Sequence, residues 1–201
     1  MRRGFLIAVE GIDGSGKTTH SKALVEELKS MGVGCLYTAE PTDGPIGRLL
    51  KAGMRGGGFP PEVEALLFAA DRLDHVRRVV QPSLDAGLVV VSDRYVYSSI
   101  AYQGVSVGFD WVRTLNMFAP KPDLAVYLDV SVEEALARIG GGRDLFERAE
   151  YLEGVREAYL RLVEGGELVM VDAGRPYTET HRELLNVVLA ALKEAGFLKA
   201  G

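Results

Sequence analysis

A three-layer α/β protein built on a five-stranded parallel sheet is predicted by two features of the sequence. Short, strongly apolar runs recur along the chain with helical patterns between them, and a glycine-rich loop joins the first run to the first helix. The runs are Phe5–Val9, Val33–Tyr37, Leu88–Val91, Leu124–Leu128 and Leu168–Val171, rich in Val, Ile and Leu as strands covered on both faces are. With 201 residues, 47% hydrophobic and 25% charged, the chain reads as one globular domain over 1–201.

The helices follow in order. Leu24, Leu28 and Met31 fall at helical spacing after the first loop. Pro60 and Pro61 open a long helix running to about Leu84, with Pro82 disturbing its end. Ser131 followed by Glu134 is a capping-box spacing that starts a helix towards Arg138. Leu184, Val188, Leu189 and Leu192 mark the last helix. Gly56–Gly58 and Gly140–Gly142 read as loops, the former with nothing chemical beside it. His20, His75 and His181 fall on helical segments without ligand-like spacing and read as surface or satisfied helix residues.

Composition excludes several classes. A net charge of −5 argues against a chain-wide nucleic-acid footprint. Cys35 is the only cysteine, so neither an internal disulfide nor a multi-cysteine zinc site is possible. The opening apolar run is too short for a signal-peptide core, and no stretch approaches the roughly 18 apolar residues of a membrane span. The expectation is a cytoplasmic protein.

The strongest local signal is Gly11-Ile12-Asp13-Gly14-Ser15-Gly16-Lys17-Thr18, which satisfies G-x-x-x-x-G-K-[ST] between a strand and a helix. Its glycines let successive backbone N–H groups turn inward around phosphate oxygens, and the following helix adds the positive end of its dipole. Lys17 neutralises the transferring phosphate, the Thr18 hydroxyl suits Mg²⁺, and Asp13, Ser15 and Thr19 complete the candidate contacts. The loop makes this a P-loop sandwich that binds a nucleoside triphosphate. Switches, motors and kinases share it, so the loop alone does not fix the reaction.

A magnesium-associated carboxylate belongs at the carboxyl end of a neighbouring strand. Asp93 and Asp129 both end apolar runs; Asp93 is favoured because Arg94 follows it at once, and a guanidinium suits phosphate. Phe68 and Arg72 stand four apart on one helix face, where a ring could stack on a base and a guanidinium could reach its edge. Taken alone, Phe68 reads as core beside Ala65, Ala69 and Leu73.

The segment Asp93-Arg94-Tyr95-Val96-Tyr97-Ser98-Ser99-Ile100-Ala101-Tyr102-Gln103-Gly104 resembles the D-R-Y-x-x-S-x-x-A-Y-Q-G signature of thymidylate kinases. Val9-Glu10-Gly11 with Asp13, Glu40-Pro41-Thr42, Leu67-Phe68-Ala69 with Arg72, and Pro120-Lys121-Pro122-Asp123-Leu124 extend the resemblance over most of the chain. It implies phosphorylation of dTMP by ATP with Mg²⁺. Asp13 would contact the 3′-hydroxyl of dTMP, Phe68 would stack on thymine and Arg72 would bond its edge. Arg94 would grip the monophosphate, Asp93 would organise the magnesium, and Ser98 and Gln103 would line the pocket. Tyr102 would crowd the sugar 2′ position.

The stretch Arg138-Ile139-Gly140-Gly141-Gly142-Arg143 resembles the family's lid over the ATP phosphates, expected here at about 138–148. Some members carry a catalytic arginine in the phosphate loop and others in the lid. Gly14 occupies the loop position, so Arg143 is the candidate, with Arg138 as a flanking phosphate or adenine contact. Ala39 departs from the arginine many relatives carry before Glu40-Pro41. The family commonly forms homodimers through helices; core packing explains the apolar helix faces equally well.

Overall fold

In a computed structural model, which describes residues 3–140 and 145–198, the chain forms five strands and the helices that cover them. The strands are β1 (Phe5–Glu10), β2 (Cys35–Ala39), β3 (Val89–Asp93), β4 (Leu124–Asp129) and β5 (Val169–Asp172). They pair in parallel in the order β2-β3-β1-β4-β5. Every residue of β1 and β3 is buried, so both faces of the sheet are covered along these two strands.

Parallel neighbours require crossovers, which the helices supply. They are α1 (Lys17–Ser30), α2 (Pro45–Arg55), α3 (Pro61–His75), α4 (Gln81–Asp85), α5 (Val96–Tyr102), α6 (Gly104–Val107), α7 (Phe109–Leu115), α8 (Val132–Ile139), α9 (Leu145–Glu164) and α10 (Tyr177–Glu194). One group pairs α1 with α10; the other packs α3, α5, α6, α7 and α9 among themselves, and both groups reach the sheet. The core is continuous from Leu6 and Ile7 to Leu24, Val90, Val126, Tyr159 and Val188.

The long helix predicted after Pro61 is continuous in path but changes pitch. Between α3 and α4 lies a π-helical stretch, Val76–Val80, just ahead of Pro82. Proline has no N–H to complete the α ladder, so the turn before it widens. At α8, the Ser131 hydroxyl accepts from the Glu134 N–H at 3.2 Å, as the capping box predicts.

The strands run further than their apolar runs. β1 ends on Glu10, β3 on Asp93 and β4 on Asp129. Because β1 pairs with both β3 and β4, these carboxylate-bearing ends stand side by side at one edge, where open parallel sheets bind ligands.

The histidines correct the surface reading, and His75 keeps the satisfied one. His20, His75 and His181 are all buried. His75 is held by Glu40 at 2.9 Å and by Thr38 at 2.6 Å, while His20 and His181 meet Nδ1 to Nδ1 at 3.2 Å across the interface of α1 and α10.

Candidate active site

The phosphate loop is a backbone construction, and its glycines are required. Gly11, Gly14 and Gly16 all have positive φ. A Cβ on Gly14 would stand 2.3 Å from the Ala135 carbonyl oxygen of α8, so no arginine fits at this position. Lys17 opens α1 and folds back to donate to the Ile12 carbonyl at 2.8 Å. Burial, reinforced by the Arg94 charge, lowers its pKa to about 7. An anion arriving in the loop would offset both effects.

The second half hangs from β3. Asp93 accepts from the Thr18 hydroxyl at 2.5 Å and from the Tyr37 hydroxyl at 3.3 Å. Asp129, the alternative, is engaged elsewhere: Arg156 forks onto it at 2.8 and 2.9 Å, and Tyr127 donates to it at 2.8 Å. Burial works against ionisation of Asp129, but the Arg156 and Tyr127 hydrogen bonds hold its carboxyl below the usual range.

Arg94 has a left-handed backbone, with φ at 70°, a conformation that costs a non-glycine residue about 1–3 kcal/mol and concentrates at functional sites. The turn is fastened on both sides. The Arg94 N–H donates to Val9 O at 2.9 Å, the Arg94 carbonyl accepts from Ser92 Oγ at 2.7 Å, and the next N–H, of Tyr95, donates to Glu10 Oε1 at 3.0 Å. The guanidinium then reaches the Asp13 carboxylate, rests 4.9 Å from the Tyr102 ring centre and donates to Ser98 Oγ at 3.3 Å.

Two cavities meet at Asp13 and Arg94. One, of about 310 Å³, is lined by all the residues assigned to the acceptor: Asp13, Phe68, Arg72, Arg94, Ser98, Tyr102 and Gln103. The other, of about 520 Å³, is lined by Asp13, Gly14, Gly16, Lys17, Thr18 and Thr19 of the loop region together with Asp93, Arg94 and Arg138. A third, of about 470 Å³, continues from Gly16, Thr19 and Arg138 to Ser15, Arg175 and Tyr177. Gly11 lines none of these three; it is buried, and a Cβ there would stand 2.6 Å from Ser15 Oγ. Arg143 lies outside the described residues, with the rest of 141–144 of the expected lid.

Some assigned side chains have further roles. The Tyr102 hydroxyl accepts from the Asp13 N–H at 2.9 Å, tying α5 to the phosphate loop. Arg138 donates to Gly14 O at 3.3 Å and to Ala173 O at 2.8 Å, bridging the loop to the end of β5. Gln103 donates to Glu64 at 3.1 Å. Arg72 is only 1% exposed and bonds Glu40, Ser99, Asn116 and the Tyr95 carbonyl.

Sequence reasoning gave no role to Glu10, Glu40, Tyr159 or Asn116. Glu10 is fully buried and accepts from Tyr95 N–H, Ser98 Oγ at 2.5 Å and Tyr159 Oη at 3.2 Å. Burial pushes its carboxyl up, against the Ser98 hydrogen bond and the charges of Arg94 and Arg72. Its signal was a carboxylate ending an apolar strand; Asn116 carried none. Among the described residues no cluster of three or more His, Cys, Asp or Glu could hold a metal, and no helix is long and apolar enough to cross a membrane.

A parallel sheet with a phosphate loop on its central strand, and an arginine-floored cavity beside that loop, defines a P-loop kinase. The profile described as "Thymidylate kinase" matches residues 9–184. Proteins named "Probable thymidylate kinase" are similar throughout: 44% identity in Pyrobaculum calidifontis, covering 92% of this chain and 96% of the relative, and 42% in Pyrococcus abyssi with the same coverage. A relative of that name in Methanococcus aeolicus is 36% identical over 91% of this chain and 95% of its own. The chain belongs to the thymidylate kinase family.

Proposed function

We propose that this chain transfers the γ-phosphoryl group of ATP to dTMP, giving dTDP and ADP. The observation that carries this reading is the junction of two cavities at Asp13 and Arg94, one against the phosphate loop and one beside Phe68. Phosphoryl transfer depends on alignment and charge neutralisation more than on covalent chemistry, and two facing sites sharing a cation provide for both.

In this reading the loop N–H groups and Lys17 hold the triphosphate, with Gly11, Gly14, Ser15 and Gly16 shaping the cradle and Thr19 and Arg138 beside it. Arg94 exchanges Asp13 for the acceptor phosphate, leaving Asp13 to meet the sugar 3′-hydroxyl. Phe68 stacks on the base, Arg72 faces its edge, and Ser98, Tyr102 and Gln103 enclose the nucleoside. The two phosphates then stand in line. Arg143, outside the described residues, is the candidate for transition-state charge, and the blocked space at Gly14 supports a source away from the loop.

Thr18 and Asp93 fit Mg²⁺. They bring two hard oxygen groups together beside the phosphate cleft, few enough that phosphate oxygens and water would complete the shell. When bound, Mg²⁺ would supply neutralisation of phosphate charge.

The protein acts in the cytoplasm as a single domain and as a homodimer. Exposed Leu49 on α2 and Val63 and Leu66 on the adjoining α3 support the dimer, which light scattering on the purified chain would test. For the activity, the chain is incubated with ATP, Mg²⁺ and dTMP; dTDP is expected, and none above an enzyme-free control would overturn the assignment.

A further inference from the structure

Arg72 is the cation at the floor of the acceptor cavity, and every one of its donors is spoken for. Nε and Nη2 both face Glu40 Oε2 at 2.8 Å. Nη2 also donates to the Tyr95 carbonyl at 2.9 Å, and Nη1 is divided between Ser99 Oγ at 3.0 Å and Asn116 Oδ1 at 2.5 Å. A guanidinium has five N–H groups, and these contacts account for all of them. As it stands, Arg72 has no proton to offer a base.

The partners differ in where they sit. Glu40 and Ser99 line the cavity, so an entering base could take the place of the Ser99 hydroxyl on Nη1. Asn116 does not line it. It ends α7, is buried, and has its own amide fixed by a 2.8 Å bond from Nδ2 to the Val112 carbonyl. Its Oδ1 therefore points at Arg72 with little freedom to turn.

We infer that Asn116 is a positioning residue for base selection: by holding one Nη1 proton from behind, it keeps the guanidinium plane set so that the other is released towards the cavity. Arg72 carries only donors, so what it selects is an acceptor on the base edge, a carbonyl rather than an amino group. With Asn116 removed, Nη1 has a spare proton and the plane can tilt, which weakens the distinction. The inference rests on the dTMP kinase reading and adds a residue that touches neither substrate.

The test compares purified full-length wild type, Asn116→Leu and Asn116→Asp, measuring kcat and KM for dTMP, dCMP and ATP. Leu matches the side chain in size without an acceptor, whereas Asp retains Oδ1. For N116L the expected result is a KM for dTMP raised about tenfold and a dTMP-over-dCMP preference in kcat/KM narrowed about tenfold, with KM for ATP and kcat within about twofold. N116D keeps an acceptor for Nη1 but loses the donor to Val112, so its defect is expected to be clearly smaller than that of N116L. Unchanged dTMP constants and selectivity in N116L would overturn the inference, as would equal losses for ATP and dTMP or a defect in N116D as large as in N116L. If N116L fails to fold by circular dichroism, Asn116→Ala takes its place, and failure of both would make Asn116 structural. A wild type that makes no dTDP would instead overturn the function beneath the inference.

Discussion

Asp13 of the phosphate loop and Arg94 of the turn after β3 are joined as an ion pair, and both line the two cavities that meet there. In the proposed reading, the anchor for the acceptor phosphate is thus held by the phosphate loop before either substrate binds. An incoming phosphate must compete with the Asp13 carboxylate, and it brings more charge and more acceptor oxygens to the guanidinium.

Replacing that guanidinium should therefore cost activity far more than stability. Arg94→Ala is expected to lower kcat/KM for dTMP roughly a hundred- to a thousandfold, the scale of losing one preorganised charge-stabilising donor. Steady-state kinetics and circular dichroism on the same preparation check this; wild-type turnover would show that Arg94 is misassigned.

Glu10 supports Arg94 from below. In Glu10→Gln one oxygen remains to serve Tyr95 N–H, Ser98 and Tyr159, so a buried donor loses its acceptor at a cost of about 1–3 kcal/mol. The expected outcome is a lowered urea midpoint together with a raised KM for dTMP and an unchanged KM for ATP. A change in the midpoint alone would separate Glu10 from the Arg94 turn.

Much of this was legible in the sequence, and the exceptions have physical causes. All five apolar runs became strands; β1 and β3 are buried on both faces, and such a run has little else to be. Their ends were less readable: the backbone ladder does not stop where side chains turn polar, so β1, β3 and β4 continue onto Glu10, Asp93 and Asp129. The phosphate loop and the Asp93-Arg94 turn are local in sequence and could be read directly. The bonds that set Arg72 could not, since Glu40 and Asn116 lie 32 and 44 residues away from it. His20 and His181, separated by 161 positions, were opaque for the same reason.

Gly14 offers a test of the loop itself. Gly14→Ala combines a left-handed φ of 89° with a Cβ 2.3 Å from the Ala135 carbonyl. It is expected to lose about 3 kcal/mol or more and most nucleotide affinity, read by urea denaturation and ATP titration. Gly32→Ala, at φ 80° with nothing within 4 Å, is the control and should cost only about 1 kcal/mol with binding intact. Equal effects would mean that the contact with Ala135 is unimportant.

His20, buried between α1 and α10, should appear in the pH dependence of stability. Burial, with His181 and Arg138 nearby, lowers the His20 pKa from 6.5 to about 4. Between those values the unfolded chain binds the proton and the folded chain does not, so stability is full above about 6.5 and declines as pH falls towards 4. The denaturation midpoint of wild type should drop across this window, and His20→Gln should flatten the drop. A variant with the same slope as wild type would rule His20 out as its source.

Whether one site brings ATP and a thymidine monophosphate together is read from an acceptor panel. With ATP and Mg²⁺ held constant, product formation is measured for dTMP, dUMP, dCMP and thymidine. The expected result is dTDP from dTMP at the highest kcat/KM of the panel, with thymidine, which lacks the phosphate for Arg94, the poorest. A preference for thymidine, or ATP hydrolysis indifferent to every acceptor, would contradict it.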